Sequence, residues 1–157
     1  MQRELITISR QVHEFFILSG LTLSAAESCT GGLVSSCITD TEGASNFFRG
    51  GIVCYYTESK IDILGVSPKT IRLHGAVSSQ AALEMAERVR SLFGTDYSIS
   101  TTGNLGPTSI EGKETGLVFI AVSKKGESKY RRLLLTGNRI ENKVKSALEA
   151  LKFLIEG

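Results

Sequence analysis

The run Ala26-Glu27-Ser28-Cys29-Thr30-Gly31-Gly32 sets a hydroxyl at a sharp junction between a strand and a helix, a place that suits acyl-transfer chemistry. Residues 21–26 alternate as a short strand, and Leu33, Val34, Cys37 and Ile38 follow at helical spacing. Ser28 therefore falls at the turn. A helix beginning near Thr30 would point the unpaired backbone N–H groups of Cys29, Thr30 and Gly31 back at that turn, and two glycines leave the approach open. Such a turn favours an anion or a developing oxyanion. The same residues also suit a plain strand-to-helix turn in which Ser28 or Thr30 caps the helix. A serine hydroxyl is inert without an activating partner, so the chemistry depends on a base.

Lys60 is the candidate. The run Arg49 to Tyr56 reads as a central strand, and Thr57 offers an N-cap for a short helix carrying Lys60, Ile63 and Leu64. A cation in the first turn is disfavoured by the helix dipole, and burial lowers its pKa further, so a neutral amine could take the serine proton. The competing reading is a solvated lysine paired locally with Glu58 or Asp62. Spacing alone does not bring Lys60 to Ser28. Cys29 is a rival nucleophile at a helix start, but it has no evident histidine partner, and a small packing residue is the simpler role. Glu27 is expected to orient the turn through backbone hydrogen bonds.

With only His13 and His74, a zinc site and a histidine-dependent triad are both poorly supplied, and no metal or cofactor is expected. Cys29, Cys37 and Cys54 lack metal-ligand or CxxC spacing and fit reduced thiols. A net charge of +2 and short, interrupted basic clusters at Lys124-Lys125 and Lys129 to Arg132 argue against nucleic-acid binding. No apolar run reaches the roughly 20 residues that span a bilayer, so no membrane association is expected and a cytoplasmic location is.

The elements that must position these residues follow from periodicity. Residues 2–18 form a packing helix ended by Gly20, and 97–102 form a strand running into the loop Gly103-Asn104-Leu105-Gly106-Pro107. A helix starts at Ser78 or Ser79 and carries Ala82, Met85, Ala86, Val89, Leu92 and Phe93 on one stripe. Pro68 and Gly75 punctuate a connecting stretch before it. Strands 116–123 and 128–135 make an antiparallel hairpin, and Asn138 with Glu141 forms a capping box that opens the last helix. With 41% hydrophobic and 22% charged residues, the 157 residues suit one domain, 1–157. The order of elements predicts an α/β fold: a three-layer α/β/α sandwich whose mixed sheet includes the late antiparallel hairpin. Ligands collect at strand ends and helix N-termini in such sheets. Ser28, Tyr55, Tyr56, Lys60, Thr102 and Gly103 all fall there. Arg139, near the start of the last helix, suits a phosphate through its fixed charge and planar donors.

Taken together, the Ala26 to Gly32 run, Gly43-Ala44-Ser45, Gly50 to Lys60, Leu64-Gly65-Val66, His74 to Ser78, Thr102-Gly103, Gly106-Pro107, Gly116-Leu117-Val118 and Gly137-Asn138-Arg139 resemble the CinA C-terminal domain family, from about residue 20 to the end. That family includes amidases that hydrolyse nicotinamide mononucleotide to nicotinate mononucleotide and ammonia. The resemblance implies Ser28 as nucleophile, Lys60 as general base, and Ser45, Tyr55, Thr102, Gly103 and Arg139 at substrate-binding positions. It makes a homodimer plausible and implies no metal. The alternative within the family is a catalytically silent nucleotide-binding or regulatory module.

Asn104-Leu105 departs from the small apolar pair usual between Gly103 and Gly106, and residues 108–113 are less glycine-rich than usual. Because that loop borders the inferred pocket, substrate identity turns on it. Asn138 stands where an aspartate often precedes the arginine. The larger N-terminal domain of many relatives does not precede this run, so the pyrophosphatase-type activity linked to it is expected to be absent.

Overall fold

The computed structural model describes residues 1–156. Five strands share one sheet in the order β2 (Phe48–Val53), β1 (Leu23–Glu27), β3 (Tyr97–Gly103), β4 (Leu117–Lys124) and β5 (Glu127–Leu134). β1 runs parallel to both β2 and β3, with Ala25 opposite Gly51 on one side and Ile99 on the other. β4 then reverses against β3, and β5 against β4. This is the expected mixed sheet with its late hairpin.

The sheet is covered on both faces. Every residue of β1 is buried, as two-sided cover of a parallel strand requires. On one face α1 (Gln2–Ser19), α2 (Leu33–Thr39) and α6 (Arg139–Leu154) bring Val12, Phe16, Val34, Ile38, Leu148 and Leu151 against the strands. On the other, α5 (Ser79–Phe93) lays Ala82, Met85, Ala86 and Val89 against Ala26 and Ala121. Small residues let α5 sit close. The hydroxyls of Ser98 and Ser100 then donate to the Ala86 and Ala82 carbonyls at 2.5 and 2.6 Å, so the buried polar groups of β3 are satisfied.

Three local expectations are corrected. β2 is an edge strand rather than a central one, and its residues alternate between half-buried and exposed. Its β-branched and aromatic run suits any pleated surface and does not report position in the sheet. Residues Pro68–His74 form a helix, α4, where a connecting stretch was expected; Ser67 caps it by accepting from the Lys69 N–H at 3.2 Å, with Pro68 in the first turn. In α3 (Thr57–Asp62), the N-cap is Tyr56 and Thr57 makes no capping bond.

Candidate active site

The C-terminal ends of β1, β2 and β3 lie side by side, and the residues just beyond them converge. Lys60 Nζ lies 2.8 Å from Ser28 Oγ, 2.9 Å from the Cys54 carbonyl oxygen and 3.4 Å from that of Tyr55. Lys60 is 2% exposed and Ser28 6% exposed. Lys60 is the fourth residue of the six-residue α3 and falls in its last turn, so the dipole of that helix gives no reason for a neutral amine. Burial does: it lowers the Lys60 pKa below the usual 10.5, against smaller opposing influences from Cys54, Cys29 and Glu111. An uncharged amine has two N–H donors and one lone pair. With the N–H groups directed to the two carbonyls, the lone pair faces the Ser28 hydroxyl.

The turn that presents Ser28 is held by Glu27. This carboxylate is 1% exposed and accepts five hydrogen bonds: from the Thr30 hydroxyl at 2.6 Å, from the N–H groups of Gly32, Val34 and Ser35 at 3.2, 2.9 and 2.8 Å, and from the Ser35 hydroxyl at 2.7 Å. Five donors compensate a charge that burial alone would penalise by several kcal/mol. Glu27 thus orients the turn, as expected. It also changes the picture of the helix start, because α2 begins at Leu33 rather than near Thr30 and its leading N–H groups already have an anion.

The Gly31 N–H, expected to face an oxyanion, instead donates to the Ser28 carbonyl at 3.0 Å, closing the tight turn. Among the described residues the N–H groups of Cys29 and Thr30 have no partner. Cys29 borders the cavity beside Ser28, whereas Thr30 is buried behind it with its hydroxyl 2.7 Å from that of Thr101. The Cys29 N–H is the donor so placed. The Cys29 thiol is a poor nucleophile, since burial pushes its pKa up to about 12.

The cavity over this pair has a volume of about 390 Å³, within the roughly 300–1,000 Å³ usual for small-molecule sites. Tyr55, Thr102, Gly103 and Arg139 line it with the dyad. Arg139, at the first position of α6 behind the Asn138–Glu141 capping box, donates to the Tyr55 hydroxyl at 2.6 Å and the Gly106 carbonyl at 2.7 Å. Thr102 donates to the Ala76 carbonyl at 2.7 Å. Gly103 is demanded by packing: a Cβ there would stand 2.7 Å from the Leu117 carbonyl oxygen.

Ser45 does not line the cavity. It is exposed in a 3-10 turn, Ala44–Asn46, that leads into the N-terminal end of β2. The dyad lies at the other end of that parallel strand, about 20 Å away for six residues at roughly 3.3 Å each.

The β3–β4 loop borders the cavity as expected, but sequence reasoning missed the wall that faces it from the α4–α5 connection. Ala76 and Val77 line the cavity from the α4–α5 connection, and Thr108 and Ile110 from the β3–β4 loop. Glu111 and Lys113 tie these segments together, and Asn104, noted only as a departure, anchors the loop by accepting from the Ile110 N–H at 3.2 Å. Burial raises the Glu111 pKa, but bonds from the Ala76 and Val77 N–H groups and from Lys113 outweigh it and hold the carboxyl below its usual range. The mixed polar run 108–113 carries no periodicity that could have pointed to this.

No helix among the described residues is long and apolar enough to cross a membrane. The family model for the CinA C-terminal domain matches residues 5–157. A putative competence-damage inducible protein of Desulforamulus reducens is 42% identical over 153 residues, covering 96% of this chain and 37% of that protein. A CinA-like protein of Shewanella pealeana is 39% identical over 148 residues, covering 94% of this chain and 35% of its own. The chain therefore spans about a third of the length of these curated relatives. The crystal structure of a competence/damage inducible protein from Agrobacterium tumefaciens superposes with a TM-score of 0.93 at 32% identity, over 97% of this chain and 94% of that one.

Proposed function

The chain belongs to the CinA C-terminal domain family, and on that premise we propose that it is a serine–lysine amidase that converts nicotinamide mononucleotide to nicotinate mononucleotide and ammonia. The observation that carries the proposal is the 2.8 Å contact between a buried lysine amine and a serine at the mouth of a cavity. Few structural roles call for an amine with no carboxylate partner to be buried against a hydroxyl, because an unpaired buried cation is costly. A general base has that requirement.

In the first step the neutral Lys60 amine takes the Ser28 proton as Oγ attacks the carboxamide carbon. The carbonyl oxygen gains negative charge and is met by the Cys29 N–H. Lys60, now an ammonium with donors toward Oγ and the Cys54 and Tyr55 carbonyls, returns a proton to the amide nitrogen, and ammonia leaves. Water, deprotonated by the same amine, then cleaves the ester on Ser28 and restores the hydroxyl. The two carbonyls keep the amine in place in both charge states.

Arg139 supplies the positive charge for the substrate phosphate. Its bonds to Tyr55 and Gly106 fix the guanidinium at the rim of the cavity while leaving donors free, which suits a monoester entering from solvent. The test is a coupled assay for ammonia and nicotinate mononucleotide with the purified chain. Equal formation of both, lost in folded Ser28→Ala, is expected. Binding without either product would make the chain a silent nucleotide-binding module.

A further inference from the structure

Two wall segments of the cavity are joined by one pair of charged side chains. The Glu111 carboxylate accepts from the N–H groups of Ala76 at 2.7 Å and Val77 at 3.1 Å. Lys113 Nζ donates to the carbonyls of His74 and Val77, both at 2.6 Å, and to Glu111 Oε1 at 3.2 Å. Four bonds therefore cross between the β3–β4 loop and the α4–α5 connection.

The backbone pays for this arrangement on both sides. Glu111 has φ +63°, the only non-glycine residue with positive φ among those described, a conformation sustained only where surrounding contacts over-determine it. Opposite it, Gly75 has φ +82°, and a Cβ at Gly75 would collide with the Glu111 carboxylate and stand 2.8 Å from Lys113 Nζ. Within the loop, a different side chain makes the internal anchor. Asn104 already accepts from the Ile110 N–H at 3.2 Å and lies within 3.5 Å of the Ile110 and Glu114 carbonyls. What the brace adds is the position of one wall relative to the other.

Those walls carry apolar side chains into the cavity. Val77 is buried, whereas Ile110 remains 51% exposed although it borders the cavity, an apolar surface that an apolar ligand face would cover. We infer that the Glu111–Lys113 brace is a specificity-determining element: by fixing Val77 and Ile110 about one cavity, it forms a slot for the planar ring of an aromatic amide. The inference rests on the amidase reading for its choice of ligand.

Calorimetric titration of the Ser28→Ala chain with nicotinamide mononucleotide and with ribose 5-phosphate, which has the sugar phosphate but no ring, separates slot from phosphate contacts. Glu111→Gln, Lys113→Met and Gly75→Ala are each added to that chain, the last leaving both charges in place. Loss of apolar contact to the ring should raise the Kd for the nucleotide about 10-fold or more, while that for ribose 5-phosphate moves less than about 2-fold. A merely structural role would weaken both ligands together. An unchanged ratio of the two affinities in all folded variants, or a parent that binds the nucleotide no tighter than ribose 5-phosphate, overturns the inference. Brace-dependent binding with no ammonia released by the unmutated chain would refute the amidase reading and leave the slot standing.

Discussion

Lys60 Nζ stands 2.8 Å from Ser28 Oγ although 32 residues separate them in the chain. The parallel pairing of β1 with β2 brings this about: Glu27 lies opposite Val53, so the residues after each strand emerge side by side. Ser28 leaves β1 on a turn fastened by Glu27, while the chain beyond β2 winds through one short helix and returns Lys60 beneath it. Both positions are set by backbone topology and by buried polar bonds.

Removing either member of the dyad should abolish amidase activity without unfolding the chain. Ser28→Ala and Lys60→Met are each expected to lower kcat by about 10⁴-fold or more, and the double variant to lose little beyond either single one, because the two groups act as a unit. Steady-state ammonia release with circular dichroism checks this.

Lys60 should also leave a mark on stability. Because burial holds its folded-state pKa below 10.5, the unfolded chain binds this proton more readily, and the contribution of Lys60 to stability rises with pH up to the unfolded value. As pH falls through the folded value, that contribution is lost. Lys60→Met removes the burden, so its melting temperature should exceed that of the parent most at low pH. The gap should narrow as pH rises from the lowered folded-state value toward 10.5, as scanning calorimetry can measure.

Glu27→Gln tests the turn. The amide keeps the shape but loses the charge and turns a donor toward the N–H groups at the start of α2. Charged hydrogen bonds contribute about 1.5–3 kcal/mol each, so a loss of about 2–4 kcal/mol is expected, or roughly 5–15 °C in melting temperature for a chain of this size. Thermal unfolding reads it directly, and amidase activity should fall with it as Ser28 loses its fixed position.

Arg139→Met should act on binding. With the phosphate partner gone, KM for nicotinamide mononucleotide is expected to rise about 10- to 100-fold, the equivalent of one or two charged hydrogen bonds. The corresponding nucleoside, lacking the phosphate, should be hydrolysed with little change. Parallel kinetics on the two substrates test the assignment.

Much of the fold was legible because its signals are local. The stripe from Ala82 to Phe93, the Asn138–Glu141 capping box and the hairpin turn each specify one element through contacts a few residues apart. The dyad was legible in part: residue types and the turn at Ser28 pointed to acyl transfer, but only strand pairing brings Lys60 across. What sequence could not show were relationships settled by competition for hydrogen bonds. The Gly31 N–H closes its own turn, Glu27 takes the donors of α2, and burial rather than a helix dipole lowers the Lys60 pKa. Ser45 looked like a site residue by motif, yet it precedes β2 and so lies at the end of the sheet remote from the dyad.

The most direct test follows the amine itself. In the chain labelled with nitrogen-15 at lysine, the Lys60 Nζ resonance, identified by its absence in Lys60→Met, is titrated by NMR beside the pH dependence of kcat/KM. The account predicts a Lys60 pKa below 10.5 and an activity that rises with loss of that same proton. A chain fully active while the Lys60 amine is still protonated would contradict it.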